Sequence, residues 1–281
     1  MRVLLVGAFG NLGTSCIREL SQNEDEIRCF CRKSRRSMIW YNIYRKKFNF
    51  EVYWGNILDR DLISKVLTDI DVVIHTVAIV PPLSDSKPEL AMQLNVEGTK
   101  ILIEEAKKHS IKQFIFSSSV SVHCPHSPSI PVITIEDEFS PIDTHNTSKV
   151  KCEELIQNSN LNWTIVRFGA IFPVENHGDP LPKIDSYMIN KMFGVPLEQK
   201  IEIIHPHDAA LTFVHAINNK RAFNQIFIGG GGTNCQIYQR EYVNQLLKSS
   251  GIGVLPEYAF KKALKQEDWF YTYWMDTVKS Q

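Results

Sequence analysis

Three groups of residues in this chain have types and spacings suited to chemistry. The first is Gly7-Ala8-Phe9-Gly10-Asn11-Leu12-Gly13, directly after an apolar run. Glycine is needed where a chain turns sharply, where backbone meets phosphate, and where a helix crowds a strand. A helix opening here would aim free N–H groups and its positive dipole end at a pyrophosphate. Glycines alone are weak evidence. A strand-type run before them and a helix-type run after them supply the context that dinucleotide binding demands. The second group is Arg32-Lys33-Ser34-Arg35-Arg36, four cations within five residues. A carboxylate at the end of a second strand would hold a ribose 2′-hydroxyl, and none is present. A solvated basic loop is the plain reading of such a run. The missing carboxylate and the fit of a guanidinium to phosphate favour NADP over NAD, with Arg32 and Lys33 as its contacts. The third group is His145-Asn146-Thr147-Ser148-Lys149. An imidazole with a pKa of about 6.5 is a base near neutral pH, and a close lysine cation pushes it further toward neutrality. That makes an adequate base and a poor acid.

These groups need elements to position them. Apolar runs of strand length at Arg2–Val6, Ile27–Cys31, Phe50–Trp54, Val72–Thr76, Gln113–Ser117 and Trp163–Arg167 alternate with helical spacing at Leu12–Leu20, Pro88–His109 and Lys149–Gln157. Buried strands separated by helices predict an α/β fold with a doubly wound parallel sheet of Rossmann type. Phe172–Glu198 is rich in turn formers and breaks the alternation, so a smaller C-terminal substrate lobe begins there. Strand character returns at Asn224–Gly232, and Tyr238–Ser249 reads as a final helix. The division predicted is 1–168 as the dinucleotide-binding domain, joined by 203–232, with 169–202 and 233–281 as the substrate lobe.

Composition narrows the function classes. The 281 residues suffice for a core without staples, and Lys plus Arg equals Asp plus Glu at 31 each. A net charge of zero offers nothing to nucleic acid or to an anionic membrane. No run approaches the roughly 20 apolar residues of a membrane span. The six cysteines are scattered without a Cys-x-x-Cys pair, which predicts reduced thiols and a cytoplasmic location. His123, Cys124 and His126 cluster, but a zinc site needs three or four ligands in closed geometry, so no metal is expected.

The motifs together resemble a known family. The glycine turn is followed by Asp71-Val72-Val73-Ile74-His75-Thr76-Val77-Ala78, Asn95-Val96-Glu97-Gly98-Thr99 and Phe114-Ile115-Phe116-Ser117-Ser118-Ser119, in that order. Thr164-Ile165-Val166-Arg167-Phe168-Gly169, Ile204-His205-Pro206-His207-Asp208-Ala209-Ala210 and Trp274-Met275-Asp276-Thr277 continue the likeness. The chain resembles the extended short-chain dehydrogenases/reductases, the NAD-dependent epimerase/dehydratase group. The resemblance implies that Gly7, Phe9, Gly10, Asn11, Leu12 and Gly13 form the pyrophosphate turn. It places Asn56 and Ile57 at the adenine and Thr76, Val77 and Ala78 along the cofactor. Asn95 would buttress the active-site helix, Ser119 would be the catalytic serine, and Lys149 would bond the nicotinamide ribose. His123 would line the pocket mouth, and His205 and His207 would be structural. A homodimer through paired helices, one of them Pro88–His109, is also implied.

The family carries Tyr-x-x-x-Lys where this chain has His145 and Lys149. A phenol has a pKa of about 10, lowered by the lysine so that it can exchange a proton with a substrate hydroxyl. An imidazole is shorter and titrates elsewhere. Two functions follow. One is an NAD(P)-dependent epimerase/dehydratase-like oxidoreductase for a nucleotide sugar or similar polyol, with His145 as an atypical acid/base. The other is an NADP(H)-binding sensor or regulatory protein without redox turnover. Tyr187, in the substrate lobe, is a tyrosine that could enter the site.

Overall fold

The computed structural model describes residues 1–23, 25–123, 132–172, 193–249, 251, 253–265, 268–269 and 274–280. Its centre is a parallel sheet built from β1 (Arg2–Val6), β2 (Glu26–Cys31), β3 (Glu51–Trp54), β4 (Val72–His75), β5 (Gln113–Ser119), β7 (Trp163–Phe168) and β10 (Gln225–Gly229). The order is β10-β7-β5-β4-β1-β2-β3, and every neighbouring pair is parallel. Carboxyl ends of all seven strands therefore share one edge, where open α/β sheets bind ligands.

Alternation along β1 explains the layers. Val3 and Leu5 face one core with Leu12, Cys16 and Ile17 of helix α1 (Asn11–Leu20) and with Ala209 and Phe213 of the helix Pro206–Ala216. Leu4 and Val6 face the other core, with Leu102 and Ala106 of α6 (Gly98–Lys108) and Cys152 and Ile156 of α7 (Thr144–Gln157). One strand thus feeds two apolar layers, as a doubly wound sheet requires. Short strands lie outside this sheet. β9 (Lys200–Ile204) pairs with β8 (Ala170–Ile171) and β11 (Gln236–Tyr238), and β6 (Val132–Ile133) pairs with β12 (Trp274–Met275).

Several elements depart from the periodicity. The long helix over Pro88–His109 is interrupted: α5 (Pro88–Met92), following a short helical turn α4 (Leu83–Ser86), gives way to a π-helical turn at Gln93–Glu97 before α6. Helix α2 (Arg35–Tyr44) takes in the last two residues of the basic run and its sequel, opened by a Ser34–Ser37 capping box. Its partly aromatic sequence carries little helical periodicity, so pattern alone does not show it. α3 (Arg60–Val66) is a further short helix that the periodicity does not reveal. Most of Phe172–Glu198 lies outside the described residues. Among those described, no helix is long and apolar enough to cross a membrane.

Candidate active site

The glycine turn has the geometry of a phosphate cradle. Gly7 has φ +96°, and a Cβ there would stand 2.6 Å from the Thr76 hydroxyl. Thr76 in turn donates to the Val6 carbonyl at 2.9 Å, so the turn and β4 brace each other. At Gly13 a Cβ would meet the Gly7 carbonyl oxygen at 2.2 Å. Gly10 caps α1 without any side-chain bond to its first N–H groups. Those donors are open to an anion, which is the fit a pyrophosphate needs. Phe9 and Leu12 differ from expectation. Their side chains turn into the core, where Phe9 stacks on Trp54 at 5.4 Å, so only their backbone belongs to the cradle. Asn11 reaches the Ile171 carbonyl at 3.3 Å.

Around this turn, Arg32 and Lys33 are exposed at the carboxyl end of β2. Asn56 is exposed beyond β3, accepting from its own neighbour Leu58, while Ile57 is buried. Val77 and Ala78 are part-exposed after β4, and Val77 lies against Gly7.

The second half of the site hangs on Asn95. Its side chain accepts from the Ile79 N–H at 2.7 Å and donates to the Ile79 carbonyl at 3.0 Å and to Ser148 Oγ at 2.9 Å. Ser148 Oγ–H donates in turn to the His145 carbonyl at 2.7 Å. One buried amide therefore ties the loop after β4 to the first turn of α7. The π-turn presents that amide, in keeping with the frequency of such bulges at functional sites.

Lys149 is 5% exposed, donates to the Ser117 carbonyl at 2.6 Å, and stands 4.6 Å from the centroid of Phe116. Burial lowers its pKa to about 8. His145 lies four residues earlier on the same helical face. Burial, then the Lys149 cation, lower its pKa to about 4, against a backbone hydrogen bond with Ile79. The imidazole is thus neutral at pH 7, and its buried Nδ1 has no hydrogen-bond partner. Ser119 accepts from both the N–H of Ser121, at 3.2 Å, and the Ser121 hydroxyl, at 2.8 Å. With both lone pairs used, its own hydrogen is left to donate.

Other polar groups are accounted for differently. His75 is neutral, lowered to about 3 by burial and by Lys149, and pairs with the Thr99 hydroxyl at 2.9 Å. His123 does not line a pocket mouth. It is fully buried and bonded to Arg167, a residue that sequence reasoning placed only within a strand motif. His205 caps its helix, and His207 lies 3.2 Å from Glu19, so both are structural. Among the described residues no cluster suits a metal, and Cys16, Cys29, Cys31, Cys152 and Cys235 are free thiols. Cys124, His126 and Tyr187 lie outside the described residues. Tyr187 has Lys191 four positions on, but this Tyr-x-x-x-Lys spacing follows β7 in the chain, whereas α7 precedes it.

Comparison with known proteins matches residues 4–171 to the 3-beta hydroxysteroid dehydrogenase/isomerase family. The chain is 27% identical over 172 residues to the photosystem II assembly factor Ycf39 of Cyanophora paradoxa, covering 61% of this chain and 46% of that protein. It is 29% identical over 180 residues to the uncharacterized protein y4nG of Sinorhizobium fredii, 61% of this chain and 44% of the other. It spans less than half the length of these two relatives. With the UDP-glucose 4-epimerase of Haemophilus influenzae it shares 31% identity over 242 residues, 78% of this chain and 70% of that enzyme. In fold it resembles the UDP-Glc/GlcNAc 4-epimerase of Campylobacter jejuni, with TM-score 0.80, 18% identity and coverage of 99% of this chain and 91% of the other. The UDP-glucuronic acid 4-epimerase of Bacillus cereus, in complex with UDP-glucuronic acid and NAD, gives TM-score 0.77 at 22% identity, covering 100% and 91%. The matched segment contains the glycine turn, Asn95, Ser119, His145 and Lys149, and on that match this chain belongs to the 3-beta hydroxysteroid dehydrogenase/isomerase family of extended short-chain dehydrogenases/reductases.

Proposed function

We propose that this chain is an NAD(P)-dependent oxidoreductase of the epimerase/dehydratase type, acting on a nucleotide-linked sugar or similar polyol. The observation that carries the reading is the pairing of a neutral imidazole with a buried cation on one face of α7, next to the end of β5 that bears Ser119. The identity to UDP-glucose 4-epimerase supports the substrate class. Residues 1–168 with 203–232 would hold the cofactor, and 169–202 with 233–281 would frame the substrate.

The nicotinamide would supply a two-electron acceptor and donor of hydride. The chain's own residues would do the rest. Ser119 Oγ–H donates to the substrate oxygen and fixes its position. His145, neutral at pH 7, takes the hydroxyl proton. Lys149 holds a positive charge beside both and steadies the ribose. In the reverse direction the imidazolium returns the proton, and the Lys149 cation helps drive it off. Burial keeps this exchange away from bulk water.

The test is direct. UDP-glucose and UDP-glucuronic acid with NADP+ or NAD+ should give a transient nicotinamide absorbance or an epimerised product, and His145→Phe should remove it. If no such sugar produces either signal, while His145→Tyr creates turnover, the native redox role is wrong.

The 2′-phosphate reading has its own test. The exposed Arg32 and Lys33 support NADP, although the Bacillus cereus epimerase structure contains NAD. A charge-assisted bond contributes about 1.5–3 kcal/mol. Arg32→Ala should therefore raise the Kd for NADP+ by roughly 10- to 100-fold and leave NAD+ binding nearly unchanged, as read by calorimetry. Equal losses for both cofactors would show that Arg32 does not contact the 2′-phosphate.

A further inference from the structure

Behind Ser119 lies a buried polar cluster that the chemistry above does not use. Arg167 of β7 is 2% exposed and Glu153 of α7 is 0% exposed. Arg167 Nη2 donates to Glu153 Oε2 at 2.7 Å, and Nε reaches both carboxylate oxygens at 3.1 and 3.2 Å. Ser118 donates to the same carboxylate. The guanidinium has a further arm. Nη1 lies 2.9 Å from His123 Nε2 and 3.2 Å from the Ile135 carbonyl. A guanidinium only donates, so His123 Nε2 must be an acceptor. The ring proton is then on Nδ1, 3.0 Å from the Glu138 carbonyl that accepts it. Phe139 stacks on His123 at 5.7 Å, and its ring centroid lies 5.0 Å from the Arg167 guanidinium. This arrangement requires a neutral imidazole.

Its place in the chain gives the cluster a purpose. Residues 120–144 run from Ser119 to the first turn of α7, where His145 stands. Val120–His123 form a 3-10 turn directly after Ser119. The returning segment is held at its outer end by β6 against β12. It is held in its middle by the Ile135 and Glu138 carbonyls. Ser140 N–H then closes on the Val122 carbonyl at 2.8 Å, and Asp143 caps α7.

We propose that His123 and Arg167 are positioning residues: a clamp that holds only with a neutral imidazole, fixes segment 132–143, sets His145 against Ser119, and opens on acidification. A proton on Nε2 would remove the acceptor and set two donors of like charge face to face. Among the described residues, the charged groups facing His123 are Arg167 from β7, Glu153 from α7 and Asp137 from the returning segment, together with the Glu138 carbonyl. Burial and Arg167 keep the ring below its usual range, and the Glu138 carbonyl, Glu153 and Asp137 oppose them. The link to His145 rests on the reading of Ser119 and His145 as the reacting pair. The clamp itself does not.

Hydrogen exchange read by mass spectrometry between about pH 8 and about pH 5 tests it, each rate normalised to that of the unfolded chain. Peptides covering 132–143 should lose protection by about tenfold or more in wild type, while those covering Arg2–Val6 stay protected. His123→Gln should show no such loss. Its amide keeps one acceptor for Arg167 and one donor for the Glu138 carbonyl, with no proton to gain. Parallel pH dependence in both proteins, joint loss at Arg2–Val6, or unchanged protection down to pH 5 would each overturn the clamp. If His123→Gln does not fold, the two peptide sets of the wild type decide alone. Turnover of UDP-glucose with NADP+ should fall over the same interval in wild type but not in His123→Gln. Absence of turnover at every pH counts against the proposed function and leaves the exchange result standing.

Discussion

Gly13→Ala is expected to cost the fold on the order of 3 kcal/mol and to abolish binding of the proposed dinucleotide. The reason is where the new atom would go. Its Cβ would stand 2.2 Å from the Gly7 carbonyl oxygen and 2.8 Å from the Ala8 carbonyl carbon, both backbone. Backbone cannot swing aside as a flexible side chain can. Either α1 lifts off β1 or the turn unwinds, and both disrupt packing of Leu12, Cys16 and Ile17 on Val3 and Leu5. The lifted helix also withdraws its N-terminal amides from the pyrophosphate. Gly10 supplies the control. A Cβ there would have only the Gly7 carbonyl oxygen nearby, at 3.2 Å. Gly10→Ala should keep stability within about 1 kcal/mol and lose affinity by crowding the phosphate. Urea unfolding separates the two variants, and calorimetry with NADP+ and with NAD+ measures the binding. Equal stability for both would mean that the helix does not approach the strand as closely as the structure shows.

The contrast between these glycines shows what the sequence disclosed. Strand, glycine turn and helix were readable because each glycine answers a separate steric demand, and because β1 alternates between two apolar layers. The positions of Ser119 and Lys149 followed from motif order. The break at Gln93–Glu97 did not, since Asn95 satisfies Ile79 across a distance that helical periodicity cannot encode. Phe9 was legible as a member of the turn but not as a core residue, because its packing against Trp54 depends on β3 and α2. The Arg167 cluster was hidden for a related reason. Its members come from β5, α7, β7 and two loops, so no local pattern marks them. A signal was present in Glu153 and Arg167, two charges at positions that the neighbouring apolar spacing makes buried. Buried charges require partners.

The proposed proton-transfer pair, His145 and Lys149, should produce a pH profile unlike that of a tyrosine enzyme. It is best measured in the His123→Gln background, where the clamp cannot titrate. As a base, His145 must be neutral, and its pKa is held at about 4 by burial and by the Lys149 cation. Lys149 contributes only while charged, and burial brings its pKa to about 8. Turnover should therefore be flat between these values, falling below about pH 4 as His145 gains a proton and above about pH 8 as Lys149 loses one. The coupling gives a sharper expectation. Lys149→Met should lower kcat by about 10²- to 10⁴-fold. It should also move the residual acid limb upward, because the cation that disfavours the imidazolium has gone. The limb should not reach about 6.5, the free imidazole value, because burial is the larger cause and remains. His145→Tyr should reverse the profile. A phenol must lose its proton to act as base, so activity would rise toward alkaline pH and then fall with Lys149. Circular dichroism at each pH separates unfolding from titration. An acid limb that stays in place in Lys149→Met would show that His145 is not the group being titrated, and would remove it from the proton-transfer step.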